Sequence, residues 1–177
     1  FLSFCRRETR IGLKGILDAL EEGAKEAIAI AMACAVSGVI IGGLWLTGLS
    51  LNFTSLVFSL FKGIPFLGLL LVALVCILLG MGLPTVAAYI IVASIGVAPL
   101  VQLGFPLMGV HFFVFYFSIL AVITPPVALA AYAGANIAGA NFFLTGFTAV
   151  KFGIVAYIVP FMLIYNPELM LVGPPLM

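Results

Sequence analysis

Two short runs hold the residues that could do chemistry in this sequence: Gly80-Met81-Gly82-Leu83-Pro84-Thr85 and Ile123-Thr124-Pro125-Pro126. Each interrupts an apolar stretch and neither has a charged neighbour. Glycine and proline break helices, and a broken helix leaves backbone N–H and C=O groups unpaired. Hydrocarbon cannot solvate such groups, so irregular backbone persists at membrane depth only where protein buries it or where it lines a wet cavity. A half-helix that begins at a break points N–H groups and a positive dipole end at the gap, which suits a carboxylate. A half-helix that ends there points carbonyls at it, which suits Na⁺. Thr85 and Thr124 add one hydroxyl at each break, and hard cations bind through such oxygens. The candidate substrate and ion site is therefore Gly80, Met81, Gly82, Pro84, Thr85, Thr124, Pro125 and Pro126, with Gly80, Gly82, Thr85 and Thr124 as the Na⁺ set. Asn136 and Asn141 are uncharged polar residues beyond the second break, which either line the pathway or join helices; Asn136 is counted with the site.

Composition sets the medium in which these breaks must work. Of 177 residues, 65% are hydrophobic and 7% charged, where a soluble domain has about 25% charged. With a mean hydropathy of +1.39, the chain reads as an integral membrane protein. Net charge is +1, and after Glu26 only Lys62, Lys151 and Glu168 are charged, so no groove for nucleic acid can be built. No carboxylate pair for acid–base work exists past residue 26, and Ser94 and Ser118 show no base partner. The single histidine, His111, adjoins the aromatic run Phe112, Phe113, Phe115, Tyr116 and Phe117, and reads as a packed or interfacial residue rather than a catalyst. Cys5, Cys34 and Cys76 lie far apart and read as small hydrophobes. No enzymatic activity and no resident cofactor are expected. The chain opens Phe1-Leu2-Ser3, without an initiator Met or a cleavable leader, and reads as part of a longer protein.

The elements that must position the breaks follow from apolar length and punctuation. The spacing of Ile11, Leu13, Ile16, Leu17 and Leu20 among charged residues predicts an amphipathic arm helix over residues 1–26, lying along the membrane surface or forming a soluble tail. Residues 27–177 then form a transmembrane half-domain. It comprises a first span at 27–47, with Trp45 as an interfacial anchor, and a short helix at 49–61. A hairpin at 64–98 has apolar arms at 66–79 and 86–98, and reads as re-entrant or as two marginal spans. A broken helix follows at 109–138, unwound at the prolines or merely kinked there, and a last span closes the chain at 146–166. A cytoplasmic arm puts Arg6, Arg7, Arg10, Lys14, Lys25 and Lys151 inside and Lys62 outside, in keeping with the positive-inside rule, and leaves the C-terminus outside.

The segments Gly80-Met-Gly-Leu-Pro-Thr-Val-Ala-Ala-Tyr-Ile91, Phe115-Tyr-Phe117, Ile123-Thr-Pro-Pro-Val-Ala-Leu-Ala-Ala-Tyr-Ala133, Pro160-Phe-Met162 and Tyr165-Asn-Pro167 together resemble the large permease component of TRAP transporters (tripartite ATP-independent periplasmic transporters). The likeness is to the TAXI-type branch, in which small and large membrane components are fused, and it runs from about Ile16 to Leu171. It implies an all-α membrane protein of the bacterial inner membrane: the second inverted repeat of an elevator-type, ion-coupled transporter. The implied partners are membrane lipid, the other repeat, the small membrane component, a periplasmic substrate-binding protein and a small organic acid, with Na⁺ or H⁺ as coupling ion. The family pattern often has an acidic residue just before ITPP, where this chain has Ala121-Val122. Two alternatives remain open: a carboxylate/ion symporter of another elevator family that works without a binding protein, and a non-transporting membrane scaffold. A channel fits less well, since no ring of charged or repeated filter residues is visible.

Overall fold

An apolar chain in lipid has to satisfy its backbone internally, and a helix does so within one segment. The computed structural model describes residues 12–170, the side chain of Ala29 apart, and among these residues every regular element is helical. The elements are α1 (Leu13–Leu46), α2 (Leu49–Phe61), α3 (Pro65–Gly80), α4 (Thr85–Gln102), α5 (Leu107–Leu120), α6 (Leu129–Ala138), α7 (Phe142–Phe152) and α8 (Ile154–Tyr165). Single 3₁₀ turns follow α5 (Ala121–Ile123) and α8 (Pro167–Met170). By length and composition α1 and α4 can each cross a membrane, and α7 with α8 makes a third span if the bent pair is counted as one.

The hairpin α3–α4 packs against α5, and α5 against α8. Leu69, Val72 and Cys76 of α3, Val92 and Leu100 of α4, Val110, Phe113, Val114 and Phe117 of α5, and Ile164 of α8 form the buried core. Phe113, Phe117 and Phe161 stack within it, with ring centroids 4.8 to 5.7 Å apart. The buried hydroxyls of Thr54 and Ser118 bond to the carbonyls of Ser50 (2.7 Å) and Val114 (2.8 Å) four residues back, so their burial leaves no donor unpaired. Ser94 likewise bonds to Ile91 O at 2.6 Å.

Three boundaries differ from those drawn on the sequence. The arm and the first span are one helix: α1 has 34 residues and is about 51 Å long. The chemical change at Glu26–Ala27 is real, but nothing there breaks a helix, since charged and apolar residues alike propagate one. The part of the predicted arm at residues 1–11 lies outside the described residues. Second, α4 does not stop before Pro99 but runs through it to Gln102, where Leu103 N–H closes on Pro99 O at 3.0 Å. Pro99 sits one turn from the helix end, where its missing donor removes a single bond. Third, the last span is two helices meeting at Gly153 with a 43° bend. Gly153 lies at φ −84°, ψ 7°, and a Cβ placed there would stand 3.1 Å from Ala149 O, with Ile123 Cδ1 at an ordinary 3.4 Å. Glycine at this corner gives α7 and α8 a kink site and keeps clear of the Ala149 carbonyl one turn back.

Candidate functional site

Gly82 sets the geometry of the first break. It has φ +74°, a left-handed conformation that L side chains resist, and it turns the chain between α3 and α4. Gly80 O accepts Leu83 N–H at 3.4 Å, the one hydrogen bond across the tip. Pro84, at φ −57° and ψ 142°, is the N-cap of α4 and Thr85 its first helical residue. The carbonyls of Met81 and Gly82 and the hydroxyl of Thr85 accept no hydrogen bond among the described residues.

At the second break α5 tightens into the turn Ala121–Ile123 and then unwinds over Thr124–Val127, with a cis peptide between Pro125 and Pro126. The chain re-enters helix through Ala128, which is fully buried at φ +24°, ψ 55°. A non-glycine residue in that region stores about 1–3 kcal/mol of strain. Thr124 Oγ1 donates to Leu120 O at 2.6 Å. With its single proton committed there, it accepts from Tyr157 Oη of α8, also at 2.6 Å. Tyr132 Oη donates to Pro126 O at 2.6 Å, so this freed carbonyl is capped by the helix that follows it. The carbonyls of Ile123, Pro125 and Val127 accept nothing among the described residues.

The two breaks meet. A Cβ on Gly80 would stand 2.9 Å from Ala121 Cβ, and one on Gly82 would stand 3.6 Å from Val127 Cγ1. The contacts pair like ends: the C-terminus of α3 lies against the C-terminus of α5, and the approach to α4 lies against the approach to α6. One side of the junction is therefore rich in carbonyls, the other in unpaired N–H groups. Among the described residues no cluster of His, Cys, Asp or Glu could hold a metal, so any cation held here is held by neutral oxygens.

On its outer side the break is supported by α7. Gly146 is buried there, with Tyr132 Cε1 and Pro125 Cγ at 3.1 and 3.2 Å from where its Cβ would be. Beside this contact a hollow of about 350 Å³ is lined by Thr124, Pro125, Pro126, Phe143, Phe147 and Val150. Its walls are almost wholly carbon, so it suits the apolar body of a solute and offers no donor for a carboxylate.

Of the residues assigned to the site from sequence, Gly80 and Gly82 are brought against the second break, with Met81, Pro84 and Thr85 on the same tip. Asn136 is not brought to it: it lies eight residues past Ala128 on α6, exposed, about 12 Å along the helix. Asn141 is a helix cap, its Oδ1 accepting Leu144 N–H at 3.0 Å. Tyr157 and Tyr132 join the site without a sequence motif that marks them as part of it. Tyr157 is 33 residues from its partner and gives no local signal, whereas Tyr132 lies six residues after Pro126. Sequence pattern offers no partner for His111, yet Tyr89 Oη lies 2.9 Å from its Nδ1.

Apolar helices and interrupted backbone of this kind define a multi-pass helical membrane protein. A family profile, that of the tripartite ATP-independent periplasmic transporter DctM component, matches residues 1–174. The chain belongs to that family, the large membrane component of TRAP transporters, which is a family of transporter components rather than of enzymes. A search of curated proteins and a search of solved structures each find no match.

Proposed function

We propose that this chain is the second inverted repeat, the C-terminal half, of a TAXI-type TRAP permease. The transporter imports an organic acid across the bacterial inner membrane by an elevator movement, driven by a Na⁺ or H⁺ gradient. A periplasmic binding protein delivers the solute, and the first repeat and the small membrane component complete the machine. The α1 arm is cytoplasmic and the C-terminus periplasmic, a reading supported by the distribution of Lys and Arg. The hairpin α3–α4 enters from the periplasmic side, and the coupling ion and the carboxylate bind where its tip meets the break after α5.

The observation that carries this reading is the pairing of like helix ends, Gly80 against Ala121 and Gly82 against Val127. It sets a carbonyl-lined side fit for a cation next to an N–H-lined side fit for a carboxylate, with no charged side chain in either break. Thr85 Oγ1 and the carbonyls of Met81, Gly82, Ile123, Pro125 and Val127 accept no hydrogen bond among the described residues and are the oxygens open to an ion. The apolar hollow beside Pro125 and Phe147 takes the carbon skeleton of the solute.

The test is uptake by the intact transporter in proteoliposomes, under imposed Na⁺ or H⁺ gradients, with and without the binding protein. Uptake that needs both a gradient and the binding protein is expected. Gradient-driven uptake indifferent to the binding protein would move the chain to another elevator family of carboxylate symporters. Absence of gradient-driven uptake would leave a non-transporting scaffold.

A further inference from the structure

His111 is the single histidine of the chain, and it stands in an apolar helix that packs on three others. An ionisable side chain at such a position is expensive to keep, and it marks an ion or proton path when it has a defined partner. The partner is Tyr89, whose Oη lies 2.9 Å from His111 Nδ1. Both residues are half-buried, and Phe115 holds the Tyr89 ring edge-on at 5.6 Å. Tyr89 lies on α4 one helical turn beyond Thr85, on the same helix face, while His111 belongs to α5, the first half of the broken helix. The bond therefore joins the two interrupted elements that form the site.

The surroundings are short of charge. The helices packed on α5 contribute Cys76 from α3, Tyr89 from α4 and Tyr157 and Tyr165 from α8, and α5 itself carries Tyr116. Only Tyr89 bonds to His111: Tyr157 is bound to Thr124, Tyr165 stacks on Phe105, Tyr116 stacks on Phe112, and Cys76 lies in the core. The turn Pro167–Met170 reaches Gly109 through Met170 and brings Glu168, which forms no ion pair with His111. A proton gained by His111 is thus a positive charge with no protein carboxylate paired to it among the described residues.

We propose that the Tyr89–His111 pair is a proton-binding site, through which a proton is taken up together with the anionic solute. This rests on the transporter reading above. In the neutral tautomer that carries its proton on Nε2, Nδ1 accepts the Tyr89 O–H. Adding one proton makes both ring nitrogens donors, so Nδ1–H donates to Tyr89 Oη and the tyrosine proton turns away from His111. The only change is one proton bound per histidine. The imidazolium favours a carboxylate at the junction by long-range through-space attraction, across the ten residues (about 15 Å) that separate His111 from Ala121 along α5. Solute and proton therefore promote each other's binding, as linkage requires.

The experiment uses the intact transporter with its binding protein in proteoliposomes loaded with a pH-sensitive dye, together with NMR of ¹⁵N-histidine-labelled protein, the His111 signal being assigned by its loss in His111→Gln. Solute uptake by the wild type is expected to fall as the pH is raised from 6 to 8, as a histidine that must carry the proton requires. Each solute entering is expected to acidify the lumen. His111→Gln should keep residual uptake with a flat pH profile and no acidification, and Tyr89→Phe should move the NMR midpoint of His111. Either variant could lose its fold, so thermal unfolding is followed in parallel, and the wild-type pH profile and lumen acidification need neither variant. A His111 signal that does not titrate between pH 5 and pH 8, or a His111→Gln protein with the wild-type pH profile and acidification, overturns the proposal. A wild-type protein that does not transport at all overturns the transporter reading instead, while the titration still reads the proton site.

Discussion

Gly80→Ala tests the meeting of the two breaks most directly. The added Cβ would lie 2.9 Å from Ala121 Cβ, where carbon atoms in contact prefer about 3.5–4.0 Å. Neither carbon can swing aside, because each is fixed to its own backbone, so α3 and the turn after α5 have to separate by up to about 1 Å. The other neighbours of the new methyl, Ser118 O at 3.6 Å and Ala88 Cβ at 3.7 Å, are ordinary contacts and block any easy sideways escape. Overpacking of this kind costs about 1–3 kcal/mol, which lowers the population of the joined tip by about 5- to 150-fold. Initial-rate uptake by the intact transporter is expected to drop by at least about 5-fold, with a lower unfolding temperature in detergent. Ala121→Gly added to Gly80→Ala removes the opposing carbon and should recover most of the loss, a coupling that distant sites would not show. Wild-type uptake and stability in Gly80→Ala, or no rescue by the second change, would refute the contact and with it the junction.

Three further changes probe the site. Gly82→Ala meets only Val127 Cγ1, at an ordinary 3.6 Å, but must hold φ +74°; a cost of about 1–2 kcal/mol should appear as lower uptake, less so in Gly82→Asn, and equal effects of Ala and Asn would contradict the backbone argument. Thr124→Val removes the acceptor of the Tyr157 hydroxyl; a loss of about 1–2 kcal/mol in thermal stability is expected, and in the Tyr157→Phe background the same change should cost measurably less. Asn136→Ala is expected to leave uptake within about 2-fold of wild type, since a change under about 0.5 kcal/mol is usual for an exposed side chain; a loss of uptake would place Asn136 on the pathway after all.

The breaks were legible in the sequence because their signals are local. Gly82 announces a turn and Pro125-Pro126 an unwound helix without reference to any other element. Their meeting was not legible, because the requirement for a bare Gly80 is imposed by Ala121, 41 residues on. Tyr157 escaped for the same reason: its hydroxyl matters only through a helix packing that local pattern does not encode. Pro99 misled in the opposite direction, since a proline one turn from a helix end removes one bond and the helix absorbs it. Gly153 reads as one more small residue in an apolar run, and the 43° bend that α7 and α8 make there is not signalled by local pattern. Asn136 was placed near the break by counting along the chain, but α6 carries it two turns away.

Gly80 against Ala121 sets two negative helix poles side by side. Like poles repel, and on the proposed reading a cation between the two carbonyl ends would convert that repulsion into attraction. The hairpin tip would then behave as a latch that grips only when loaded. A latch of that kind guards against idle cycling, because the unloaded tip has no reason to stay shut. Its signature is a rise in unfolding temperature with the coupling cation alone, before any solute is added, and a smaller rise in Gly80→Ala.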